Sequence, residues 1–374
     1  GVTPAIGFVL VDKPTGWTSH DVVGRLRRLV GTKKVGHAGT LDPLATGLLI
    51  CGVGRATRLL SHVMGEDKVY AARLRFGVET DTEDAAGEVV AAAGAAGLSL
   101  ADVTAAGERF LGPIEQTPSA VSAIKVDGKR SYALVRAGET PKLEARRVVI
   151  RRLEFGEAVA SILPASGAPQ DRHPATPPDR EDEAVASIPP ASDALQLGRG
   201  DAEDRHPATH PDRGGDAVAS HIPASDALPG ATPVLDVDLI VECSAGTYIR
   251  ALARDLGHAV GAGAHLIGLR RLRSGSFAVE EAGVGLAELE AGSPVAPVSV
   301  TSVMERILSR LDVDESDAWR VASGQALDRP LAAPTLVVGP DGAALAVYAP
   351  SGGRAVPQVV LVAGGQGLQE RGAA

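Results

Sequence analysis

The chain has 374 residues, which is enough for two domains or for one domain with an appendage. Its only cysteines, Cys51 and Cys243, exclude a disulfide framework and a four-cysteine zinc site, and we expect both thiols to be free and buried. Neither a secretory signal nor an apolar run of 18 residues is found, so we expect a cytoplasmic protein that does not cross a membrane.

The net charge of −9 argues against a nucleic-acid partner only until its distribution is considered. Residues 156–233 hold 13 acidic side chains against 5 arginines. Residues 1–75, in contrast, hold 11 basic side chains against 5 acidic ones. Because local basic surfaces rather than the total charge determine phosphate binding, a polyanionic partner remains open.

The first predicted elements are a strand and an amphipathic helix. Residues 7–14 read as a buried strand that ends at a proline, and Ser19 is a good N-cap for the helix that follows. Apolar residues recur on one side of that helix. The other side carries Arg25, Arg27 and Arg28, which form either a solvated face or a phosphate-binding face.

A glycine-rich stretch with a single carboxylate follows at residues 36–50 (GHAGTLDPLATGLLI). Pro43 holds the preceding Asp42 near an extended conformation, and the glycines allow sharp turns or the close approach of a ligand. The apolar run that comes next is typical of a buried strand. The pattern fits either a surface Asp-Pro turn or a reactive carboxylate at the floor of a cleft.

Residues 68–77 alternate as a strand does and contain Tyr70, which taken alone is a core or edge aromatic. The acidic turn at residues 80–87 lacks the later glutamate of an EF-hand loop, so we reject a calcium site. We predict a helix at residues 100–111. Residues 121–130 predict a strand, an Asp-Gly turn and the start of a helix that continues to Arg136, and a strand with basic flanks follows at 146–153.

Residues 156–233 differ in composition from the rest of the chain. The string AVASI at 158–162 recurs from Ala184 and, interrupted by a histidine, from Ala217. The segment is dense in proline, glycine and acid and has no aromatic residue, so it cannot bury enough apolar surface to offset the entropy cost of ordering. We predict a disordered acidic insertion, whose histidines have no spacing that fixes a metal geometry.

Order is expected to return with a strand at 233–243, a glycine turn and a helix that begins near Arg250. Residues 263–272 (GAHLIGLRRL) carry a basic edge beside Leu269. Residues 297–374 read as a separate unit, with a helix over 304–311 and β-rich segments after it.

Five strings together closely resemble the motifs of the TruB family of tRNA pseudouridine synthases, and they lie at residues 12–19, 36–54, 68–87, 121–138 and 243–272. The resemblance implies an α/β (α+β) fold with a central mixed, mostly antiparallel sheet flanked by helices. It also implies a catalytic domain at 1–155 and 234–292, interrupted by the insertion at 156–233. A small PUA-like β-rich domain at 297–374 is suggested by a weaker match.

The resemblance further implies the roles of individual residues. Asp42 is the nucleophile, Arg250 pairs with it and keeps it ionised, and Tyr70 packs beside the target base. His37 stacks in the T loop and Leu269 lines the uracil pocket. The remaining residues assigned to substrate binding are Lys13, Asp84, Lys125, Tyr248 and Arg270.

The substrate that the resemblance implies is uridine 55 in the T loop of tRNA, modified by a monomer without an obligate protein partner. The absence of a P-loop, a dinucleotide fingerprint and a metal-ligand cluster agrees with a reaction that needs no cofactor and no metal. One alternative is a tRNA-folding chaperone that uses the same basic surface. A glycosidase is disfavoured, because it needs two flanking acids and only Asp42 stands in a specific motif.

Overall fold

The computed structural model describes residues 6–119, 143–164 and 231–362, together with the backbone of residues 125–126 and 129–130. The chain divides into two compact units. The first takes in the described residues up to Glu66 and those from Arg273 onward, and the second lies within Asp67–Leu272. None of the described helices is long and apolar enough to cross a membrane.

The described elements confirm the α/β class that the sequence predicts. The helices are α1 (Ser19–Leu29), α2 (Leu60–Met64), α3 (Leu100–Gly107), α4 (Ile249–Ala259), α5 (Leu286–Ala291), α6 (Val300–Met304) and α7 (Glu315–Ala322). The strands are β1 (Gly7–Lys13), β2 (Val35–Ala38), β3 (Thr46–Val53), β4 (Lys68–Phe76), β5 (Glu79–Thr80), β6 (Val89–Ala91), β7 (Gly112–Gln116), β8 (Lys125–Val126), β9 (Lys129–Arg130), β10 (Arg146–Leu163), β11 (Thr232–Cys243), β12 (Ala264–Ser274), β13 (Phe277–Ala278), β14 (Ser309–Asp312), β15 (Thr335–Val338), β16 (Ala344–Ser351) and β17 (Arg354–Val360).

In the first unit, β3 pairs antiparallel with both β1 and β2. All eight residues of β3 are buried, as the apolar run in the sequence predicts. The register places Lys13, at the end of β1, opposite Gly47 at the start of β3. The loop that carries Asp42 therefore leads directly into a strand that is fixed by ladders on both sides.

Helix α1 begins one residue earlier than the sequence predicts. Its N-cap is Thr18, whose hydroxyl accepts a hydrogen bond from the Asp21 amide while the Asp21 carboxylate accepts one from the Thr18 amide. This reciprocal arrangement is a capping box. Ser19, which the sequence assigns as the cap, is buried and bonds the chain near Asp42 instead.

The second unit is built on the strand order β12-β4-β11-β10-β7. The β4–β11, β11–β10 and β10–β7 ladders are antiparallel. Two bidentate ion pairs lie side by side across β4 and β11, joining Arg73 to Asp238 and Arg75 to Asp236. Because opposite charges stand directly across the ladder, these pairs fix the register of the two strands.

Strands β10 and β11 correct the predicted limits of the insertion. Strand β10 continues to Leu163 and β11 begins at Thr232, so both extend into the range 156–233. The first AVASI copy, Ala158–Ile162, pairs with Pro233–Val237 of β11. A partner strand therefore orders this copy despite its weak composition, whereas residues 165–230, with the other copies, lie outside the described residues.

Two short predictions are also wrong in part. Lys129 and Arg130 form β9 and pair antiparallel with β8, so they belong to a strand and do not start a helix. The predicted helix over 131–136 lies outside the described residues. The helix found here, α6, ends at Met304, where the predicted helix over 304–311 begins. Residues Ser309–Asp312 instead form β14, which pairs in parallel with β15.

Residues near the C-terminus of the described chain form a four-stranded sheet in the order β14-β15-β16-β17. One face packs α7 into a small core of its own that includes Val321, Val337 and Tyr348. The Tyr348 hydroxyl donates to the Gln325 carbonyl at 2.6 Å, which satisfies the one polar group of this buried ring. The small β-rich unit predicted from the sequence is thus present, while its PUA-like character stays a prediction.

The two cysteines are free and buried, as predicted. Burial raises the pKa of the Cys243 thiol to about 11. The thiol is therefore protonated at neutral pH, and a protonated thiol is a poor nucleophile.

A buried histidine in β12 makes the stability of the second unit depend on pH. His265 is 5% exposed, its Nδ1 lies 2.8 Å from the Val78 carbonyl, and burial lowers its pKa below 6.5. The unfolded chain takes up a proton near pH 6.5, whereas the folded chain does so only at lower pH. The stabilisation is therefore complete above pH 6.5 and is lost as the pH falls toward the folded pKa.

We predict that lowering the pH from 7 to 5 decreases the thermal midpoint more in the wild type than in His265→Asn, whose side-chain amide still donates to the Val78 carbonyl. Each pH unit between the folded and unfolded pKa values costs up to about 1.4 kcal/mol of unfolding free energy. Circular dichroism melts at both pH values measure this. Parallel pH profiles for the two proteins would contradict the assignment.

Candidate active site

The backbone on both sides of Asp42 is held by the segment that begins α1. The Leu41 amide donates to the Ser19 Oγ at 2.9 Å, and the Ser19 hydroxyl donates to the Leu41 carbonyl at 3.1 Å. The Gly16 amide donates to the Pro43 carbonyl at 2.8 Å. Because Ser19 and Leu41 are both buried, the half-buried Asp42 stands between two fixed points.

Two glycines make the turns of this loop possible. Gly39 has a φ of 85° and Gly47 a φ of 99°, a region that side chains with a Cβ rarely adopt. The Asp42 carbonyl also accepts the Ala45 amide at 3.0 Å, which closes a tight turn around Pro43. The sharp turns that the glycines of this stretch predict are therefore present at Gly39 and Gly47.

Lys13 is buried within the first unit. Its side chain is 0% exposed, and its Nζ donates to the carbonyls of Pro14 at 3.0 Å and Trp17 at 2.5 Å. Sequence analysis assigns Lys13 to substrate binding. In the structure its ammonium group bonds the turn that contains Gly16, and the Gly16 amide bonds the Asp42 loop. Lys13 therefore supports the loop indirectly.

His37, in β2, is half-buried and lies edge-on to His20 of α1, with ring centroids 5.8 Å apart. Of the three arginines on α1, Arg25 donates to the carbonyls of Leu289 and Glu290 in α5. Arg27 and Arg28 are exposed. The basic face of this helix therefore serves partly for packing and partly as an open cationic surface.

In the second unit, Arg250 lies at the start of α4, and its side chain is buried. Its Nη1 donates to the Thr82 carbonyl at 3.1 Å and lies 3.5 Å from the Asp84 Oδ2. Both groups belong to the acidic turn at residues 80–87. The turn and Arg250 stand in separate sequence motifs, and the structure brings them together.

Asp84 organises that turn. Its Oδ1 accepts the Thr82 hydroxyl at 2.6 Å and the Ala86 amide at 3.0 Å. Only 5% of Asp84 is exposed, so these donors and the nearby Arg250 guanidinium replace the hydration that its carboxylate loses on burial. The buried Asp84 thus fixes the shape of the turn and the position of the Arg250 guanidinium.

The acidic turn is also attached to β12. The Ala85 amide donates to the Leu266 carbonyl at 2.9 Å, and the Leu266 amide donates to the Glu83 carbonyl at 3.0 Å. Leu266 lies three residues before Leu269 on the same strand. The turn that holds Arg250 and the strand that carries Leu269 are therefore one hydrogen-bonded piece.

The other expected residues of the second unit differ in exposure. Tyr70 of β4 is 9% exposed and Leu269 is 7% exposed, so each presents only a small edge to solvent. Arg270 is half-buried. Arg271, which stands beside Arg270 in the basic string at 263–272, is 2% exposed and belongs to the interior.

Gln116 is a residue of this site that sequence reasoning missed. Its side-chain amide brackets the backbone of Tyr248: the Oε1 accepts the Tyr248 amide at 2.8 Å, and the Nε2 donates to the Tyr248 carbonyl at 2.9 Å. Gln116 is 1% exposed. It stands 132 residues before its partner, and nothing in the sequence connects the two positions.

The predicted site residues are distributed over both units. Asp42, His37 and Lys13 belong to the first, and Tyr70, Asp84, Tyr248, Arg250, Leu269 and Arg270 to the second. Lys125 lies in β8, of which the structure describes the backbone alone. The described part of the chain holds no group of three or more histidine, cysteine or acidic side chains that could bind a metal ion.

Comparison with known families covers most of these residues. Residues 27–163 match the model of the TruB family pseudouridylate synthase N-terminal domain. Residues 250–311 match the tRNA pseudouridylate synthase B C-terminal domain, and residues 308–362 match the tRNA pseudouridine synthase II C-terminal domain. The matched regions contain Asp42, Tyr70 and Arg250.

Similar proteins extend the match over nearly the whole chain. The tRNA pseudouridine synthase B of Arthrobacter sp. (strain FB24) is 40% identical, with 95% of this chain and 96% of the relative aligned. That of Streptomyces griseus is 38% identical over 93% and 95%. A chain of a Cbf5-Nop10-Gar1 complex shares the fold, with a TM-score of 0.54, 20% identity and coverage of 92% of this chain and 78% of that one. The chain belongs to the TruB family of pseudouridylate synthases.

Proposed function

We propose that this protein is a tRNA pseudouridine synthase that isomerises uridine 55 in the T loop. Its family membership makes it an isomerase, and its relatives are named for tRNA pseudouridine synthesis. The observation that carries the proposal is the fixed Asp42 loop, in which Ser19 and Gly16 hold the chain on either side of a single half-buried carboxylate.

The reaction breaks the N1–C1′ bond of uridine, turns the freed uracil and forms a C5–C1′ bond; C5 then loses its proton, and N1 takes up a proton from solvent. Asp42 supplies the nucleophile. Attack on C1′ and attack on the uracil ring make the same demand on the protein, which is an ionised carboxylate at a fixed position. A rigid backbone supports either route, because misplacement by about 1 Å can cost about 100-fold in rate.

Arg250 is proposed to pair with Asp42 and to keep it ionised. Its burial supports this role, because a guanidinium interacts more strongly with a carboxylate where water is excluded. Asp84 and the Thr82 carbonyl would hold the guanidinium in the required orientation. Tyr70 would stack on the extruded base and help to remove the C5 proton, and Leu269 would close the pocket.

Recognition of the tRNA is proposed to rest on shape and on phosphate contacts. His37 would stack in the place of the extruded uridine, and Tyr248 and Lys125 would contact the substrate. Arg27, Arg28 and Arg270 offer cationic groups for the backbone. The protein would act as a cytoplasmic monomer, without a cofactor and without an obligate protein partner.

The test is to incubate the protein with an unmodified tRNA transcript, label pseudouridine with carbodiimide and map reverse-transcription stops. We expect one stop, at the nucleotide immediately 3′ of position 55. A transcript with cytidine at that position is the matched control and should give none. Tight tRNA binding without any stop would contradict the enzyme assignment and favour the folding chaperone.

Ser19→Ala should slow the reaction, because it removes both hydrogen bonds to the buried Leu41 backbone. We expect a 10- to 100-fold loss of single-turnover rate, on the order of the cost of a displaced catalytic group. The buried amide left without a partner should also cost about 1–3 kcal/mol of stability. Ser99→Ala, which removes the N-cap of α3, is the control and should lower stability alone. Equal rates for the two variants would contradict the role of Ser19.

A further inference from the structure

The acidic turn of the second unit contains the one residue other than glycine that has a positive φ in the described chain. Glu83 has a φ of 63°. For a residue with a Cβ this left-handed conformation costs roughly 1–2 kcal/mol, so the surrounding structure has to hold it. Such positions concentrate where function needs a particular backbone shape.

Glu83 is located where its conformation matters most. It stands between Thr82 and Asp84, and Arg250 contacts both of these residues. The φ of Glu83 therefore sets the angle between the Thr82 carbonyl and the Asp84 carboxylate. If Glu83 relaxed to an ordinary φ, these two acceptors would no longer converge on one guanidinium.

A second arginine holds Glu83 in place. Arg254 lies four residues after Arg250, on the same face of α4, and its Nη1 donates to the Glu83 Oε1 at 2.7 Å. Its Nη2 donates to the Thr117 carbonyl at 2.9 Å and its Nε to Asp255 at 2.8 Å. These two bonds fix the orientation of the Arg254 guanidinium independently of its bond to Glu83.

The ion pair is shielded from water, with 20% of the Arg254 side chain and 13% of the Glu83 side chain exposed. Pairs of this kind act more strongly than pairs on an open surface, which contribute about 0–1 kcal/mol. The remaining carboxylate oxygen, Glu83 Oε2, is buried and has no hydrogen-bond partner among the residues that the structure describes. Arg254 therefore supplies the ion pair that fixes the Glu83 carboxylate at this position.

We infer that Glu83 and Arg254 are positioning residues for the isomerisation. Their ion pair holds Glu83 in its left-handed conformation, and the acidic turn shaped in this way orients Arg250. The inference rests on the proposed function, because it gives Arg250 its catalytic task. Neither Glu83 nor Arg254 needs to touch the substrate.

The experiment compares Glu83→Gln, Arg254→Gln and the double variant in single-turnover assays on the tRNA transcript. We expect each single variant to lose about tenfold in rate with a KM within twofold of wild type. The double variant should be no slower than either single variant. Arg254→Lys, which keeps the charge, should recover part of the rate.

Arg75→Gln is the matched control, because it breaks a half-buried bidentate ion pair with Asp236 in the same unit. It should lower the thermal midpoint without changing the rate. Equal loss of rate in this control and in Glu83→Gln would overturn the inference, since both effects would then reflect general stability. An unchanged rate in Glu83→Gln would overturn it as well.

A readout without tRNA separates this inference from the proposed function. Hydrogen exchange of the Ala85 and Leu266 amides, which join the turn to β12, should speed up at least tenfold in Glu83→Gln and not in Arg75→Gln. The ¹⁵N resonances of the Arg250 guanidinium should shift in the same variant. An inactive wild type would sink the proposed function alone, whereas unchanged exchange and resonances would overturn the positioning role.

Discussion

Asp42→Asn is expected to lower the rate of pseudouridine formation at least about 10⁴-fold, in the range found when a catalytic nucleophile is removed. The amide has the size of the carboxylate but cannot act as an anionic nucleophile. The backbone bonds at Leu41 and Pro43 do not involve the Asp42 side chain, so the loop should keep its shape. We expect the affinity for tRNA to stay within about threefold, since binding relies on phosphate contacts elsewhere.

Release of tritium from tRNA labelled at C5 of uridine measures the rate, because the C5 hydrogen leaves when the new bond forms. Asp314→Asn provides a control with the same chemical change. Asp314 is the N-cap of α7, a position that asparagine fills equally well, so this variant should remain fully active. An Asp42→Asn protein that kept more than about 1% of wild-type activity would remove Asp42 from the role of nucleophile.

The sequence predicts the Asp42 loop well because its geometry is local. Proline at 43 and glycines at 39 and 47 restrict or free individual torsion angles, and these effects need no distant partner. The strands β1, β4 and β11 are likewise visible as apolar or alternating runs. Where neighbouring residues determine the local structure, the sequence alone is enough to predict it.

Contacts between distant segments are what the sequence does not reveal. Gln116 brackets the backbone of Tyr248, and Arg25 reaches the carbonyls of Leu289 and Glu290 more than 260 positions away. A glutamine or an arginine in these places looks like an ordinary surface residue. Only the fold shows that each satisfies a particular backbone group.

The two misjudged boundaries have a similar physical origin. The copy of AVASI at 158–162 has the composition from which the sequence predicts disorder, yet pairing with β11 orders it. The segment Ser309–Asp312 follows a helix and becomes a strand because β15 lies beside it. Intrinsic β-propensity is a weak guide, and pairing with a neighbouring strand determines whether such a segment forms a strand.

Arg250→Met should have the largest effect on stability, because it leaves the Asp84 carboxylate buried without its cation. Breaking a buried pair from one side costs about 3–5 kcal/mol. Two donors, the Thr82 hydroxyl and the Ala86 amide, still reach Asp84, so we expect a loss near 3 kcal/mol and a fall in the thermal midpoint of roughly 6–12 °C. The rate of pseudouridine formation should fall by at least about 10³-fold.

The double variant Arg250→Met/Asp84→Asn separates the two effects. Asparagine keeps an oxygen for the Thr82 hydroxyl and the Ala86 amide but carries no charge, so about half of the lost stability should return. The rate should not return, because the cation that is proposed to pair with Asp42 is still missing. Circular dichroism melts and tritium release, measured on the same preparations, test both statements. Recovery of rate together with stability would mean that Arg250 serves the fold alone and would leave Asp42 without its proposed partner.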